Sequence, residues 1–113
     1  MSVARREQEL FHGLIRMHVL LHAAHEPIFG LAMKHELAHH GYRIGPGTLY
    51  PLLHGLERSG LLKSIADPED GRRRRLYRIT SRGKKALDAA RGKVDELYRE
   101  LHEAHPRRIA GGR

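Results

Sequence analysis

A mostly helical chain carrying one two-stranded β flap is the fold class this sequence predicts, and three observations carry it. Leu49, Leu52, Leu53 and Leu56 repeat at the i, i+3, i+4, i+7 spacing of one helix face. Directly after them, two strand-like runs flank the turn-forming segment Asp67-Pro68-Glu69-Asp70-Gly71, and the return run opens on four consecutive arginines, Arg72 to Arg75. A last amphipathic segment places Leu87, Ala90, Val94, Leu97 and Leu101 at steps of three and four, a short heptad seam. A small helix beside a basic flap is the outline of a winged helix-turn-helix, here followed by a C-terminal dimerisation helix.

The elements follow in order. Leu10, Leu14, Met17, Leu21 and Ala24 form one apolar stripe on a helix expected from about Arg5 to His25. Ile15, Val19 and Leu20 widen the stripe, so this helix is expected to pack on two sides, and Pro27 ends it. Leu31, Leu37 and Ala38 support a second helix that stops near Gly41, a C′ glycine. Pro46 suits the first turn of the third helix, and Ser59-Gly60 closes it. Pro51 belongs near that first turn, because a proline deeper in a helix costs about 3 kcal/mol. Leu61 to Ala66 and Arg74 to Ile79 read as the two strands of the wing. Thr80 caps a last helix that ends at His105-Pro106. Residues 1–80 thus form the N-terminal helix and winged unit, 81–105 the dimerisation helix, and 106–113 a disordered basic tail. No internal repeat is visible.

Composition narrows the function. The 113 residues carry 21 Lys and Arg against 13 Asp and Glu, a formal charge of +8, which favours a polyanionic partner. That charge is uneven: Arg72 to Lys85 holds eight basic residues and no acid. The absence of cysteine excludes disulfides, thiolate metal sites and cysteine nucleophiles. No apolar run approaches the roughly 20 residues of a membrane span, and no signal-peptide pattern opens the chain, so a cytoplasmic protein is expected. Enzyme readings find little support. Ser2, Ser59, Ser64 and Ser81 sit in terminal, turn or strand contexts, and there is no glycine-rich phosphate loop.

At about 100° per residue, the leucine face of the third helix leaves Gly47, Pro51, His54 and Arg58 pointing away from the core, with Thr48 and Tyr50 at its flanks. These residues form the expected DNA-reading surface, joined by Lys34 of the second helix and by Arg72, Arg73 and Arg74 of the wing. Strand alternation sends Arg73 and Arg75 to one side and Arg72 and Arg74 to the other, so the four cannot all touch DNA. The acidic turn either curls away from phosphate or neutralises part of the arginine run.

Gly47-Thr48-Leu49-Tyr50-Pro51-Leu52-Leu53, Leu56-Glu57, Gly60-Leu61, then Arg75-Leu76-Tyr77-Arg78-Ile79-Thr80 with Gly83, resembles the signature of PadR-type transcriptional regulators. The likeness runs from about Leu10 to Leu101 and fits the small subgroup with a single C-terminal helix. It implies a homodimeric repressor of a palindromic operator, dimerised through its terminal helices and released by an effector. It also implies that Thr48, Tyr50, Pro51 and the wing arginines face DNA. Two positions depart from the family pattern: Gly45 stands for the usual Ser before the helix proline, and Phe29-Gly30-Leu31 for the usual His-Gly-Tyr.

An exposed seam on so small a chain is itself an apolar patch that calls for a partner. The expected dimer surface comprises Leu10, Leu14, Met17, Leu21, Leu87, Val94, Leu97 and Leu101. Ten histidines raise a further reading. His18 with His22, and His35 with His39, have the i+4 spacing that sets two imidazoles on one helix face, and Glu26, Glu36 and His40 are candidate additional ligands. The reading therefore requires no cofactor, takes a double-stranded DNA operator and a second copy as partners, and leaves a divalent metal or a small molecule as effector. No membrane is involved. The alternative is a histidine-based metal-binding protein or a metal-responsive repressor.

Overall fold

The computed structural model describes residues 9–67, 69 and 71–103, with the side chains of 71–73 outside that description. Its elements are α1 (His12–His25), β1 (Ile28–Phe29), α2 (Gly30–His39), α3 (Pro46–Arg58), β2 (Leu62–Asp67), β3 (Gly71–Ile79) and α4 (Ser81–Leu101). The tail at 106–113 and the start of the first helix near Arg5 lie outside the described residues. Among the described residues, no helix is long and apolar enough to cross a membrane.

Two helices stop the same way, for a local reason. At the end of α2, Gly41 N–H donates to the Ala38 carbonyl and Tyr42 N–H to the Leu37 carbonyl. At the end of α3, Gly60 N–H reaches Glu57 and Leu61 N–H reaches Leu56. Both are Schellman closures, which need a residue in the left-handed region, and Gly41 (φ 92°) and Gly60 (φ 77°) supply it without a Cβ penalty. Thr80 then caps α4: its hydroxyl accepts from Gly83 N–H at 2.9 Å and donates to the Gly60 carbonyl. Gly83 is fixed by space rather than by φ. A Cβ there would sit 2.2 Å from the Leu61 carbonyl oxygen and 2.6 Å from Ile79 Cγ1.

The core gathers Ile15, Val19 and Ala23 of α1, Met33 and Leu37 of α2, Leu49, Leu53 and Leu56 of α3, and Leu62, Tyr77 and Ile79 of the sheet. The expected leucine face of α3 is the buried one. In α1 two apolar sets share the helix. The set at Ile15, Val19, Leu20 and Ala23 is buried, whereas Leu14 and Leu21 stay exposed, as does Leu10 before the helix.

The structure corrects the wing in two ways. The sheet has three strands in the order β1-β3-β2, not two, because Ile28 and Phe29 pair antiparallel with Tyr77 and Leu76. Two residues between Pro27 and Gly30 are too few to display an alternation. The β2–β3 hairpin also carries a register shift between Ala66 and Asp67, so the strands run to Asp67 and from Gly71. Pro51 is deeper than expected as well, the sixth residue of a 13-residue helix. Its missing N–H leaves the Gly47 carbonyl without an i+4 donor. That loss falls on the exposed side of the helix, where water can replace it.

Candidate nucleic-acid interface

The outward face of α3 carries Gly47, Tyr50, Pro51, His54 and Arg58, all exposed, with Thr48 half-buried at its edge. Opposite lies the wing. Tyr50 and His54 line a groove of about 390 Å³ with Phe29, Gly30, Arg74, Arg75 and Tyr77. Tyr50 is placed by the absence of a neighbouring side chain: a Cβ on the buried Gly30 would stand 3.0 Å from Tyr50 Cε1 and 3.2 Å from its hydroxyl oxygen. The tyrosine ring therefore rests on the first residue of α2 and projects its edge into the groove.

Arg74 and Arg75, the two arginines of the run whose side chains are described, take different partners. Arg74 donates to one carboxylate oxygen of Asp67, from Nε at 3.0 Å and from Nη2 at 2.6 Å, and its guanidinium lies 4.3 Å from the Phe29 ring centroid. Asp67 itself is buried, and it also accepts from the Glu69 N–H at 3.0 Å, which folds the wing tip into an Asx turn. The acidic turn thus neutralises part of the arginine run. Arg75 projects with Tyr77 to the inner side of the sheet. Its Nε donates to the Ser64 hydroxyl at 2.9 Å, and that hydroxyl donates to Glu57 Oε2 of α3 at 2.7 Å. This chain of hydrogen bonds, Arg75 to Ser64 to Glu57, ties the wing to the helix. Burial, and next the Glu57 carboxylate, push the Tyr77 phenol above its ordinary pKa, so it remains a neutral core residue.

A family model described as the transcriptional regulator PadR-like family matches residues 19–89. The chain belongs to that family. A relative named transcriptional regulator Rv3488, from Mycobacterium tuberculosis (strain ATCC 25618 / H37Rv), is 47% identical over 94 residues, covering 83% of this chain and 88% of its own. Among solved structures, a PadR family transcriptional regulator from Eggerthella lenta DSM 2243 superposes with a TM-score of 0.74 at 35% identity, over 88% of this chain and 91% of that one. The protein smu.1704 from Streptococcus mutans UA159 does so with a TM-score of 0.77 at 25% identity, over 87% and 94%.

Within this PadR-like frame the expected residues sort by place. Tyr50, His54 and Arg74 meet at the groove between α3 and the wing. Thr48 and Pro51 lie along the same helix, and Arg58 closes its C-terminal end, with Nη2 3.8 Å from where a Cβ on Gly55 would be. Lys34 stands apart, beside Ala38, Tyr42, Arg43 and Ile44 at the α2–α3 connection. The side chains of Arg72 and Arg73 lie outside the described residues. Sequence reasoning counted Arg75 among the wing arginines but gave Phe29 and Gly30 no place in the site. Those two depend on β1 and its junction with α2, which periodicity could not reveal.

A second groove, also about 390 Å³, runs between α1 and α4 and is lined by Leu14, Met17, His18, Leu21, Leu87, Arg91, Val94 and Asp95. Leu87 closes its floor and is buried in the chain's own core, while Leu97 and Leu101 continue along α4 into solvent and Leu10 is exposed beyond the other end. The expected histidine set is rearranged. His18 and His22 gather with His40, and His35 and His39 are exposed outside that group.

Proposed function

We propose that this PadR-like chain acts as a homodimeric repressor that binds a palindromic operator and releases it in response to an effector. The observation that carries the reading is the groove where Tyr50 and His54 of α3 confront the arginines of β3. One element offers hydroxyl and imidazole groups suited to base edges and phosphate, the other offers cations to the backbone beside it. The apolar residues left on α1 and on the distal half of α4 support a two-fold dimer. Its two recognition helices would meet half-sites about 34–36 Å apart.

Fluorescence anisotropy with the DNA upstream of the gene, measured across a salt series, tests this. Affinity is expected to fall steeply with salt, by about 0.9 in log–log slope for each phosphate contact. Replacing Arg72 and Arg73 with Ala should flatten the slope by up to about 2 and weaken all sequences alike. His54→Ala should weaken the operator more than unrelated DNA. Wild-type affinity and slope in both variants would contradict the assignment of the reading head.

A further inference from the structure

We propose that His18 and His22 of α1 and His40 at the end of α2 form a binding site for one divalent transition-metal ion of the zinc, cobalt and nickel class, and that this ion is an effector of the regulator. The effector role rests on the DNA-binding reading above; the site does not.

Three neighbouring turns of chain build it. His18 and His22 are one helical turn apart and share a face of α1. His40 is the C-cap of α2, and its ring lies against α1, with centroids 4.4 Å from His18 and 5.4 Å from His22. The His18 ring stacks on His40 with centroids 4.4 Å apart and meets the Tyr42 ring edge-on at 5.3 Å, so neighbours on two elements fix its orientation. One ring nitrogen from each histidine lies within 4.8 Å of the others. His22 Nε2 and His40 Nε2 are 3.3 Å apart. Two imidazole nitrogens held about 2.0–2.1 Å from a tetrahedral ion are separated by roughly 3.3–3.4 Å, so this pair already has the spacing of two ligands and only the third must close.

Chemistry agrees with geometry. His18 Nδ1 is buried and has no hydrogen-bond partner, a polar atom that burial alone would disfavour. Glu36 Oε2 lies 3.9 Å from His22 Nε2 and is placed to complete or orient the coordination shell. Three imidazoles without a thiolate select borderline divalent ions over calcium and magnesium, which prefer oxygen, and over copper(I), which prefers sulfur.

The position suggests how the ion would act. His18 also lines the groove between α1 and α4, and His40 lies six residues before Pro46, the first residue of α3. An ion bound by all three pins the end of α2 to the helix that borders the proposed dimer surface.

Untagged, metal-free protein titrated with Co²⁺ should develop visible ligand-field bands that saturate at one ion per chain, and Zn²⁺ should displace them. His40→Ala removes an exposed ring and should leave the far-UV circular dichroism unchanged. Losing a metal's outer-shell partner costs about 10–100-fold in affinity, and loss of a direct ligand should cost at least that. His18→Ala should behave alike, whereas His35→Ala and His39→Ala should bind as wild type. No saturable bands, binding that survives His40→Ala with the fold intact, or binding lost in His35→Ala would overturn the site. Operator affinity measured with and without Zn²⁺ should differ in wild type and not in His40→Ala; equal affinity would refute the effector role. A protein that binds the ion and no DNA would instead fail the regulator reading.

Discussion

Replacing Leu97 with Ala tests the part proposed for the distal half of α4 in self-association. Every residue from Arg91 to Leu101 is exposed on a single chain, and Leu97 keeps 52% of its surface in solvent. Full burial of a leucine side chain stabilises by about 1.5–3 kcal/mol, so covering the exposed half contributes roughly 0.8–1.6 kcal/mol per chain. A two-fold interface uses the same patch twice, which doubles the term to about 1.5–3 kcal/mol. At about 1.4 kcal/mol per decade, the dimer dissociation constant should rise about 10- to 100-fold. Alanine is the strongest helix former, so α4 itself should survive. Sedimentation equilibrium over a concentration series reads the constant, circular dichroism checks the helix, and Glu100→Ala serves as an exposed control. A shift no larger than that of the control, with helicity retained, would refute the α4 seam as the dimer contact.

Two further outcomes follow from the wing and its junction. Gly83→Ala drives a methyl group into the Leu61 carbonyl and Ile79, and overpacking of this kind costs about 1–3 kcal/mol, so the denaturant midpoint should drop clearly; an unchanged midpoint would show that the Thr80 turn yields easily. Ser64→Ala cuts the link from Arg75 to Glu57, and should weaken DNA binding and lower the thermal midpoint while leaving the dimer constant nearly unchanged. Equal anisotropy curves for wild type and Ser64→Ala would mean that the link does not position the wing.

Local rules made much of this fold legible. The leucines of α3 repeat with the helical period, and both glycine closures follow from the need for positive φ at C′. Thr80 caps because its hydroxyl is one residue before the first free N–H groups of α4. What escaped was set by distance along the chain. Two apolar sets interleave on α1, and periodicity alone does not rank Ile15, Val19 and Ala23 above Leu10, Leu14 and Leu21; the partner elements decide. β1 exists only because β3 has an edge for Ile28 and Phe29 to join. Likewise His40 meets His18 and His22 through a turn that reverses the chain, so spacing within one helix pointed to His35 and His39 instead. The groove site was half readable: the outward residues of α3 followed from the leucines, but the close approach of Tyr50 to Gly30 required the fold.

Contacts at both ends of α3 hold it to its neighbours, α2 at one end and the wing at the other. At one end Tyr50 is seated on Gly30, where no larger residue fits without displacing it. At the other, Glu57 is bonded through Ser64 to Arg75, and Asp67 holds Arg74 across the wing tip. Deforming the head means breaking charge-assisted bonds, which contribute more than neutral ones. Changing the relation between the two heads of the proposed dimer would require only a shift at the surfaces of α1 and α4. In the proposed dimer, an effector that weakens operator binding would act most cheaply on the spacing and angle of the two heads, moving them off half-sites a DNA turn apart. α1 is the element suited to transmit this. It gives Ile15 and Val19 to the core, Leu14 and Leu21 to the groove facing α4, and His18 and His22 to the cluster with His40. An ion bound at the proposed histidine site would act on α1 beside the groove that His18 also lines.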